Sequence, residues 1–469
     1  MGIPNNADDL VKLAIKTGDV YIAAAVHEIA TGNDKTQLES LMFGKRRNAL
    51  MLARWDHTPA SALQALSNST DRAVVLRLDK NPNTPSHAMP NLYSEKEEGF
   101  KRNLSLTMLI AQHKHTPISI LECIAKFDND IESLMAVSKN PTVNADVLRI
   151  LMDRMAASQK YELLKKNVAG NPSATADLLK EIYSEGDGHT RASVISHANC
   201  PLLLIEHAIN DDDVMVMRQL ATDKRLTKAI LTRLILCKDK AVRCGVASNF
   251  ALSKVLIKQL VFDDIDAVRR VIAAREDLTI ANIMHLMNDR DHWVRMWLAR
   301  NPIVSRKVLE RLSIDKHADV RRAVARNPRC PIGLLKILAN DENSWVRSAV
   351  AYQHKSPGSL MEALSEDTDI DVLSGVANNP HTPQRVLKKL IASPEADIRR
   401  GVILNHKANR NTLLPLIEDP YYLHRLMLVA SSKLKEKDKW HLRNDPDYQV
   451  RFVVFKWLVN RLNKELCSN

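Results

Sequence analysis

Aromatic residues and glycine are scarce in this sequence. Aromatic residues make up 4% of the 469 residues, and glycine contributes only 13. The six cysteines are scattered without a CxxC pair, which argues against a zinc site, an iron–sulfur site and a disulfide framework. The sequence also has no phosphate-binding glycine loop, no GxSxG and no HExxH. We therefore predict no catalytic residue, no metal and no cofactor.

Signals for export or membrane insertion are also missing. The first residues, MGIPNNADDLVKLAIK, carry acidic side chains where a signal peptide has a basic start and then an apolar run. No apolar stretch is long enough to span a bilayer, so the sequence predicts a cytoplasmic protein without membrane contact. Its formal net charge of +12 favours acidic partners, including nucleic acid.

A repeat of 26 residues runs along most of the chain. The phrases ARNPIVS, ARNPRCP and ANNPHTP place Asn301, Asn327 and Asn379 at spacings of 26 and twice 26. We call the residue at this position the marker of its repeat. Looser copies have their markers at Trp55, Asn81, His113 and Asn140, with insertions predicted within residues 91–103 and near residues 155–162. Steps of 26 give the remaining markers without interruption: Asn171, His197, Asp223, Asn249, Arg275, Asn301, Asn327, Gln353, Asn379 and Asn405.

Other positions keep the same register, which predicts two short helices per repeat. The residue three before each marker is always apolar, and alanine recurs two before it. The segment PIGLLKILAN has the apolar spacing of an amphipathic first helix, and ADVRRAVAR that of a second. We expect Thr or Ser of the Thr-Pro and Ser-Pro pairs to cap the first helix. We expect the marker Asn to end the second helix in the left-handed conformation, and a recurring Asp to cap the second helix.

The phrase VRRAVARNPRCPIGLLKILANDENSWVR resembles the variant leucine-rich repeat, a short helical relative of HEAT repeats. The Asp six residues before an Arg, as in Asp445 and Arg451, is a HEAT-like feature. This resemblance covers roughly residues 45–460 and implies an all-α, right-handed α-solenoid of about 14–15 two-helix repeats. Some variant leucine-rich repeat proteins have an N-terminal iron–sulfur segment, but this chain has no cysteine before Cys123, so we do not expect that feature.

The repeat pattern predicts four consecutive regions within one continuous structure. Residues 1–48 form a helical N-terminal cap. Residues 49–170 hold irregular repeats with loop insertions, and residues 171–430 the regular array. Residues 431–469 form a C-terminal repeat and a longer capping helix that ends in polar residues.

The arginines fall into two sets with different expected roles. One row, which includes Arg321, follows Val or Ile and is expected to pair with the recurring Asp as in HEAT-like stacks. Helical geometry places Arg322 and Arg326 about 200° and 240° from Val320, away from the core. Trp297 is expected in the core. Repeated exposed positions form a stripe on the second helices, for which we predict these binding residues: Arg270, Trp293, Arg300, Arg322, Arg326, Trp345 and Arg400.

Three functions remain open from the sequence. The first is a non-enzymatic scaffold whose basic surface binds DNA or RNA, because a stripe of positive charge can follow a phosphate backbone. The second is a protein-interaction scaffold for an acidic partner. The third rests on a remote resemblance to HEAT-like alkylpurine DNA glycosylases, in which Asp291 and Asp319 would be the candidate acids. The oligomeric state is left open.

Overall fold

The structure is a computed structural model that describes residues 2–88 and 104–468, so the insertion predicted within residues 91–103 lies outside the described residues. The described chain is α-helical, with short 3₁₀ segments and no strand, as predicted for an all-α solenoid. None of the helices in these ranges is long and apolar enough to cross a lipid bilayer.

The helices alternate between the first and second helix of each repeat. From residue 7 to residue 221 they are α1 (Ala7–Thr17), α2 (Val20–Val26), α3 (Gly32–Phe43), α4 (Arg46–Arg54), α5 (Ala60–Leu66), α6 (Arg72–Lys80), α7 (Leu104–Gln112), α8 (Ile118–Phe127), α9 (Ile131–Lys139), α10 (Ala145–Met155), α11 (Tyr161–Ala169), α12 (Ala176–Glu185), α13 (Gly188–Ser196), α14 (Leu202–His207) and α15 (Val214–Ala221). Short 3₁₀ turns follow at His27–Ile29, Ser86–Ala88 and Ala208–Asn210.

The remaining helices continue the same alternation to the C-terminus. They are α16 (Lys228–Leu234), α17 (Lys240–Ser248), α18 (Lys254–Leu260), α19 (Asp266–Ala273), α20 (Ile280–Met287), α21 (His292–Arg300), α22 (Arg306–Leu312), α23 (Ala318–Arg326), α24 (Ile332–Leu338), α25 (Ser344–Tyr352), α26 (Gly358–Leu364), α27 (Ile370–Asn378), α28 (Gln384–Leu390), α29 (Ala396–Leu404), α30 (Arg410–Leu413), α31 (Tyr422–Ala430), α32 (Glu436–His441) and α33 (Tyr448–Ser468). Further 3₁₀ turns lie at Leu414–Glu418 and Leu442–Asn444.

The helices group into two compact units. One comprises Met1–Leu220 together with Arg443–Asn469, and the other comprises Ala221–Leu442. In the second unit, the second helices α17, α19, α21, α23, α25, α27 and α29 pack side by side in chain order. The alanine row two residues before the markers is fully buried between them, as at Ala325 and Ala351. At Gly375, an added Cβ would lie 2.7 Å from the Cβ of Ala351, so neighbouring second helices touch almost backbone to backbone.

The marker residues form a buried ladder of hydrogen bonds between repeats. The side-chain nitrogen of Asn327 donates to the carbonyl oxygens of Ala299 (2.7 Å) and Asn301 (3.0 Å) in the preceding repeat. Its side-chain oxygen accepts from the backbone N–H of Arg329 at 2.8 Å. Two donors and one acceptor of a buried amide are thus satisfied, which explains the recurrence of Asn better than helix termination alone. Bonds from the side chain to the preceding repeat recur at Asn81, Asn140, Asn171, His197, Asn249, Arg275, Asn301, Gln353, Asn379 and Asn405.

Three local expectations about helix ends were wrong. The recurring Asp does not cap the second helix, because Asp315 accepts from the backbone N–H of His317, which is itself the N-cap residue of α23. Asn327 has φ −66° and ψ 131°, so the marker is extended and not left-handed. The hydroxyl of Thr382 donates to the carbonyl oxygen of Val376 at 2.5 Å, so it satisfies the end of the second helix instead of capping the next first helix. Pro383 occupies the N-cap position there. The marker Asn and the Thr of the Thr-Pro pair therefore both lie in the turn that follows a second helix. There the last carbonyl groups of the helix need hydrogen-bond donors.

The predicted Arg–Asp ladder is confirmed. Arg321 donates from Nε and a terminal nitrogen to both carboxylate oxygens of Asp341, at 2.7 and 2.9 Å, and from its other terminal nitrogen to the carbonyl of Asp315. The ladder links each repeat to the next, because the Asp belongs to the repeat that follows the Arg. Equivalent pairs are Arg191–Asp211, Arg243–Asp263, Arg269–Asp289, Arg295–Asp315, Arg347–Asp367 and Arg399–Asp419.

In the first unit, the Arg–Asp ladder continues from the last helix, α33, to helix α2 near the start of the chain. Arg451 of α33 donates to the carboxylate of Asp19 from Nε at 2.8 Å and to the carbonyl of Asp445 at 2.7 Å. Asp19 in turn accepts from the backbone N–H of Tyr21 at the start of α2, as Asp315 accepts from the N–H of His317. Helix α2 therefore takes the place of a following repeat for α33.

The ladder predicts a loss of stability in acid. The guanidinium of Arg347 lowers the pKa of Asp367 below its usual value of 3.8. A carboxylate with a depressed pKa stabilises the fold above its unfolded pKa, and this contribution is lost as pH falls through the folded pKa. We expect the ladder's contribution to the thermal midpoint to be constant above about pH 5 and to be lost below about pH 4. Circular dichroism melts across pH test this, and a midpoint independent of pH down to about pH 3 would contradict it.

Candidate binding surface on the second helices

Three arginines lie close together at the exposed edge of α21 and α23. Arg300 and Arg326 are the last residues of these helices, and Arg322 lies one turn before Arg326. Burial, followed by repulsion from Arg322 and Arg300, lowers the pKa of Arg326. Within residues 2–88 and 104–468, no carboxylate forms an ion pair with any of the three. The three positive charges are thus close together and uncompensated.

Exposed indole rings support two of these guanidinium groups. The guanidinium carbon of Arg300 lies 5.0 Å from the ring centroid of Trp297, and that of Arg322 lies 5.5 Å from the ring centroid of Trp345. Trp297 and Trp345 keep 38% and 56% of their surface exposed, so each can still contact a ligand. The Nε of Arg322 is buried and has no hydrogen-bond partner in the described part of the chain. The contacts of Arg300 with Trp297 and of Arg322 with Trp345 are cation–π interactions, which hold the guanidinium groups in place without neutralising their charge.

Trp293 extends this surface along α21. Its side chain is 40% exposed, and it lies seven residues before Arg300 on the same helix, roughly 10 Å along the helix axis. His292 lies beside it, with ring centroids 5.0 Å apart, and stacks on His317 of the next repeat at 4.2 Å. We use the name Arg–Trp cluster for Trp293, Trp297, Arg300, Arg322, Arg326 and Trp345.

The other two predicted residues lie outside the cluster. Arg270 on α19 donates to both carboxylate oxygens of Asp291, at 3.1 and 3.0 Å, and also contacts Asp266, so its charge is compensated. Arg400 lies exposed on α29, three repeats after Arg322. The structure therefore brings five of the seven predicted residues onto three consecutive second helices and leaves Arg270 and Arg400 apart. Three of the predicted arginines thus form a local patch at the ends of α21 and α23.

Trp297 was wrongly expected in the core. Its register holds Ala323 and Ala349 in the next two repeats and Gly375 in the one after. A Cβ at Gly375 would already lie 2.7 Å from its neighbour, so this register has no room for an indole between helices. The ring turns outward instead and lies beneath Arg300. The small residues at the same register were the sequence signal that could have predicted this.

Acidic residues lie in the same register as two tryptophans of the cluster, and Asp291 and Asp319 are the candidate acids of the glycosylase alternative. Asp319 and Asp371 occupy the register of Trp293 and Trp345 in neighbouring repeats. The carboxylate of Asp291 binds Arg270 and accepts the backbone N–H of Val294 at 3.0 Å, so it caps α21. Asp291 therefore has a structural role in helix capping and charge pairing.

The comparisons with known proteins identify the repeat type. The family model described as leucine rich repeat variant matches residues 318–343, one repeat that includes Arg322 and Arg326. Among solved structures, a leucine-rich repeat variant with a novel repetitive structural motif matches at 24% identity and a TM-score of 0.36, over 47% of this chain and 87% of that one. No curated protein matches the chain. The chain is a helical-repeat protein in which residues 318–343 match the leucine-rich repeat variant motif.

Proposed function

We propose that this chain is a binding scaffold whose Arg–Trp cluster binds single-stranded nucleic acid. The observation that carries this proposal is the group of three uncompensated arginines, two of which rest on exposed indoles. The positive charges of Arg300, Arg322 and Arg326 repel one another because no carboxylate of the described residues pairs with them. A bound polyanion would offset this repulsion. Guanidinium groups bind phosphate through paired donors.

The tryptophans favour a single strand over a duplex or an acidic polypeptide. Unpaired bases stack on exposed aromatic rings, whereas bases in a duplex are already stacked on one another. An acidic polypeptide offers carboxylates for the arginines but few planar rings for Trp293, Trp297 and Trp345. Phosphates and bases alternate along a single strand, which matches arginines and indoles side by side on three adjacent helices.

Fluorescence anisotropy with three ligands of similar charge tests the proposal. The ligands are a labelled single-stranded oligonucleotide, a duplex of the same sequence and polyglutamate, each titrated with the full chain at several salt concentrations. We expect the single strand to bind most tightly and its affinity to fall with salt. If polyglutamate binds as tightly as the oligonucleotide, the partner is an acidic protein and the nucleic-acid proposal is wrong.

The indole contribution gives a separate prediction. Replacing Trp345 with alanine should weaken oligonucleotide binding by about 10-fold, because base stacking on an aromatic ring is worth roughly 1–3 kcal/mol. Trp345→Phe should retain most of the affinity. Phe262→Ala, which removes a ring that is 61% exposed outside the cluster, is the matched control. Equal losses for Trp345→Ala and Phe262→Ala would show that the cluster does not stack bases.

A further inference from the structure

A cavity in the first unit is lined by both ends of the chain. It has a volume of about 560 Å³ and lies between α2, α4 and α6 on one side and the start of α33 on the other. Its wall includes the rings of Tyr21, Trp55 and Tyr448 and the guanidinium groups of Arg54 and Arg77. Cavities of about 300–1,000 Å³ are typical of small-molecule sites.

The aromatic side of this cavity is built by contacts between the two ends. Tyr21 and Tyr448 stack with ring centroids 4.0 Å apart, and Trp55 packs edge-on against Tyr21 at 4.9 Å. Phe452 supports Trp55 from α33 at 4.7 Å. The hydroxyl of Tyr21 donates to the sulfur of Met51 at 2.9 Å. The wall is therefore held in place before any ligand arrives.

The Arg–Asp ladder also fixes the position of the aromatic wall of the cavity. Asp19, which binds Arg451, lies two residues before Tyr21, and Arg451 lies three residues after Tyr448. A second ion pair joins Lys456 to Glu28 at 2.6 Å. Two ion pairs therefore set the position of α33 against α2, and with it the spacing between the rings of Tyr21 and Tyr448.

The basic side of the cavity carries two arginines without carboxylate partners. Arg54 is exposed at the end of α4, and Arg77 donates to the carbonyl of its own helix at Ala73, 2.9 Å away. In the ranges that the structure covers, neither forms an ion pair. Asp56 adds one negative charge to the lining, so the side chains of Arg54, Arg77 and Asp56 leave a net positive charge.

We infer that this cavity binds a nucleoside monophosphate or a similar planar aromatic ring that carries a phosphate. The ring would contact the wall of Tyr21, Trp55 and Tyr448, and the phosphate would bind Arg54 and Arg77. Asp56 and Gln449 offer an acceptor and an amide for the polar edge of a base. This site lies in a different compact unit from the Arg–Trp cluster and does not depend on the function proposed for it.

Isothermal titration of the full chain with AMP, adenosine and inorganic phosphate tests the inference. AMP should bind with a Kd below about 1 mM, and adenosine and phosphate should each bind at least about 10-fold more weakly. Arg54→Ala with Arg77→Ala should weaken AMP binding by about 10-fold or more. Arg47→Ala with Lys80→Ala removes the same charge from exposed positions of the same two helices and should have no effect.

Two further variants test the aromatic wall and the independence of this site from the Arg–Trp cluster. Tyr448→Ala should weaken AMP and adenosine but leave the weak binding of phosphate unchanged. Replacing Arg300, Arg322 and Arg326 should leave AMP binding unchanged, because these residues belong to the other unit. The inference is overturned if AMP does not bind at about 1 mM, if the Arg47 and Lys80 pair matters as much as Arg54 and Arg77, or if the cluster variant no longer binds AMP.

Discussion

Replacing Arg300, Arg322 and Arg326 together with alanine should weaken binding of a single-stranded oligonucleotide by about 100-fold or more. Each substitution would remove a charge-assisted hydrogen bond to phosphate worth roughly 1–2 kcal/mol. The slope of log affinity against log salt should also become shallower, by about 0.7 for each phosphate that the variant no longer neutralises. Fold stability should change little, since none of the three forms an ion pair within the described residues.

The control for this variant removes the same charge from the other helix layer. Lys307, Arg311 and Lys336 are exposed on the first helices α22 and α24, in repeats that also contribute to the cluster. Their triple alanine variant lowers the net charge by the same amount without touching the cluster. If both triple variants lose affinity equally, binding reflects net charge alone and the cluster is not the binding surface.

The largest effect on stability is expected from the marker ladder. Asn379 is 1% exposed, and its side-chain nitrogen donates to the carbonyls of Ala351 (2.7 Å) and Gln353 (3.0 Å). Its oxygen accepts the backbone N–H of His381 at 2.8 Å. Asn379→Ala leaves one buried and two partly buried backbone groups without these partners, at about 1–3 kcal/mol for each group that stays unsatisfied. We therefore expect a loss of about 3 kcal/mol or more.

Asn378 provides a control at the adjacent position. It is exposed, and its side-chain nitrogen donates to the carbonyl of Ser374 within the same helix at 2.8 Å. Asn378→Ala should change stability by less than about 0.5 kcal/mol. Chemical denaturation followed by circular dichroism compares the two variants. Similar midpoints for both would show that the buried amide ladder does not hold the repeats together.

The repeat and its two-helix division could be predicted from the sequence because they rest on periodicity, which is local information. The pairing of Arg321 with the recurring Asp was also predictable, since both residues keep the same period. The hydrogen-bonding role of the marker residue could not be predicted from the sequence. A polar residue before proline suggested a helix end, whereas Asn327 reaches backward into the preceding repeat. That hydrogen bond depends on how closely neighbouring repeats stack, which the spacing alone does not reveal.

The candidate surface was predicted in part, for a similar reason. Helical angles placed Arg322 and Arg326 outside the core, and the structure brings them together with Arg300. The same angles could not show that Arg270 reaches Asp291 in the next repeat. Nor could they show that Arg451 pairs with Asp19, because 432 residues separate the two in the chain. Such contacts arise from the stacking of whole repeats.

Arg321 and Arg322 are neighbours on α23, and we expect Arg321 to have a structural role and Arg322 a role in binding. Arg321→Met leaves the carboxylate of Asp341, only 8% exposed, without its partner. It should lower the unfolding free energy by about 3 kcal/mol or more, while the folded protein binds the oligonucleotide normally. Arg322→Met should leave the unfolding midpoint unchanged and weaken binding by about 10-fold. These separate roles would be wrong if Arg321→Met weakened binding by the folded protein as much as Arg322→Met does, or if Arg322→Met bound as tightly as the unaltered chain.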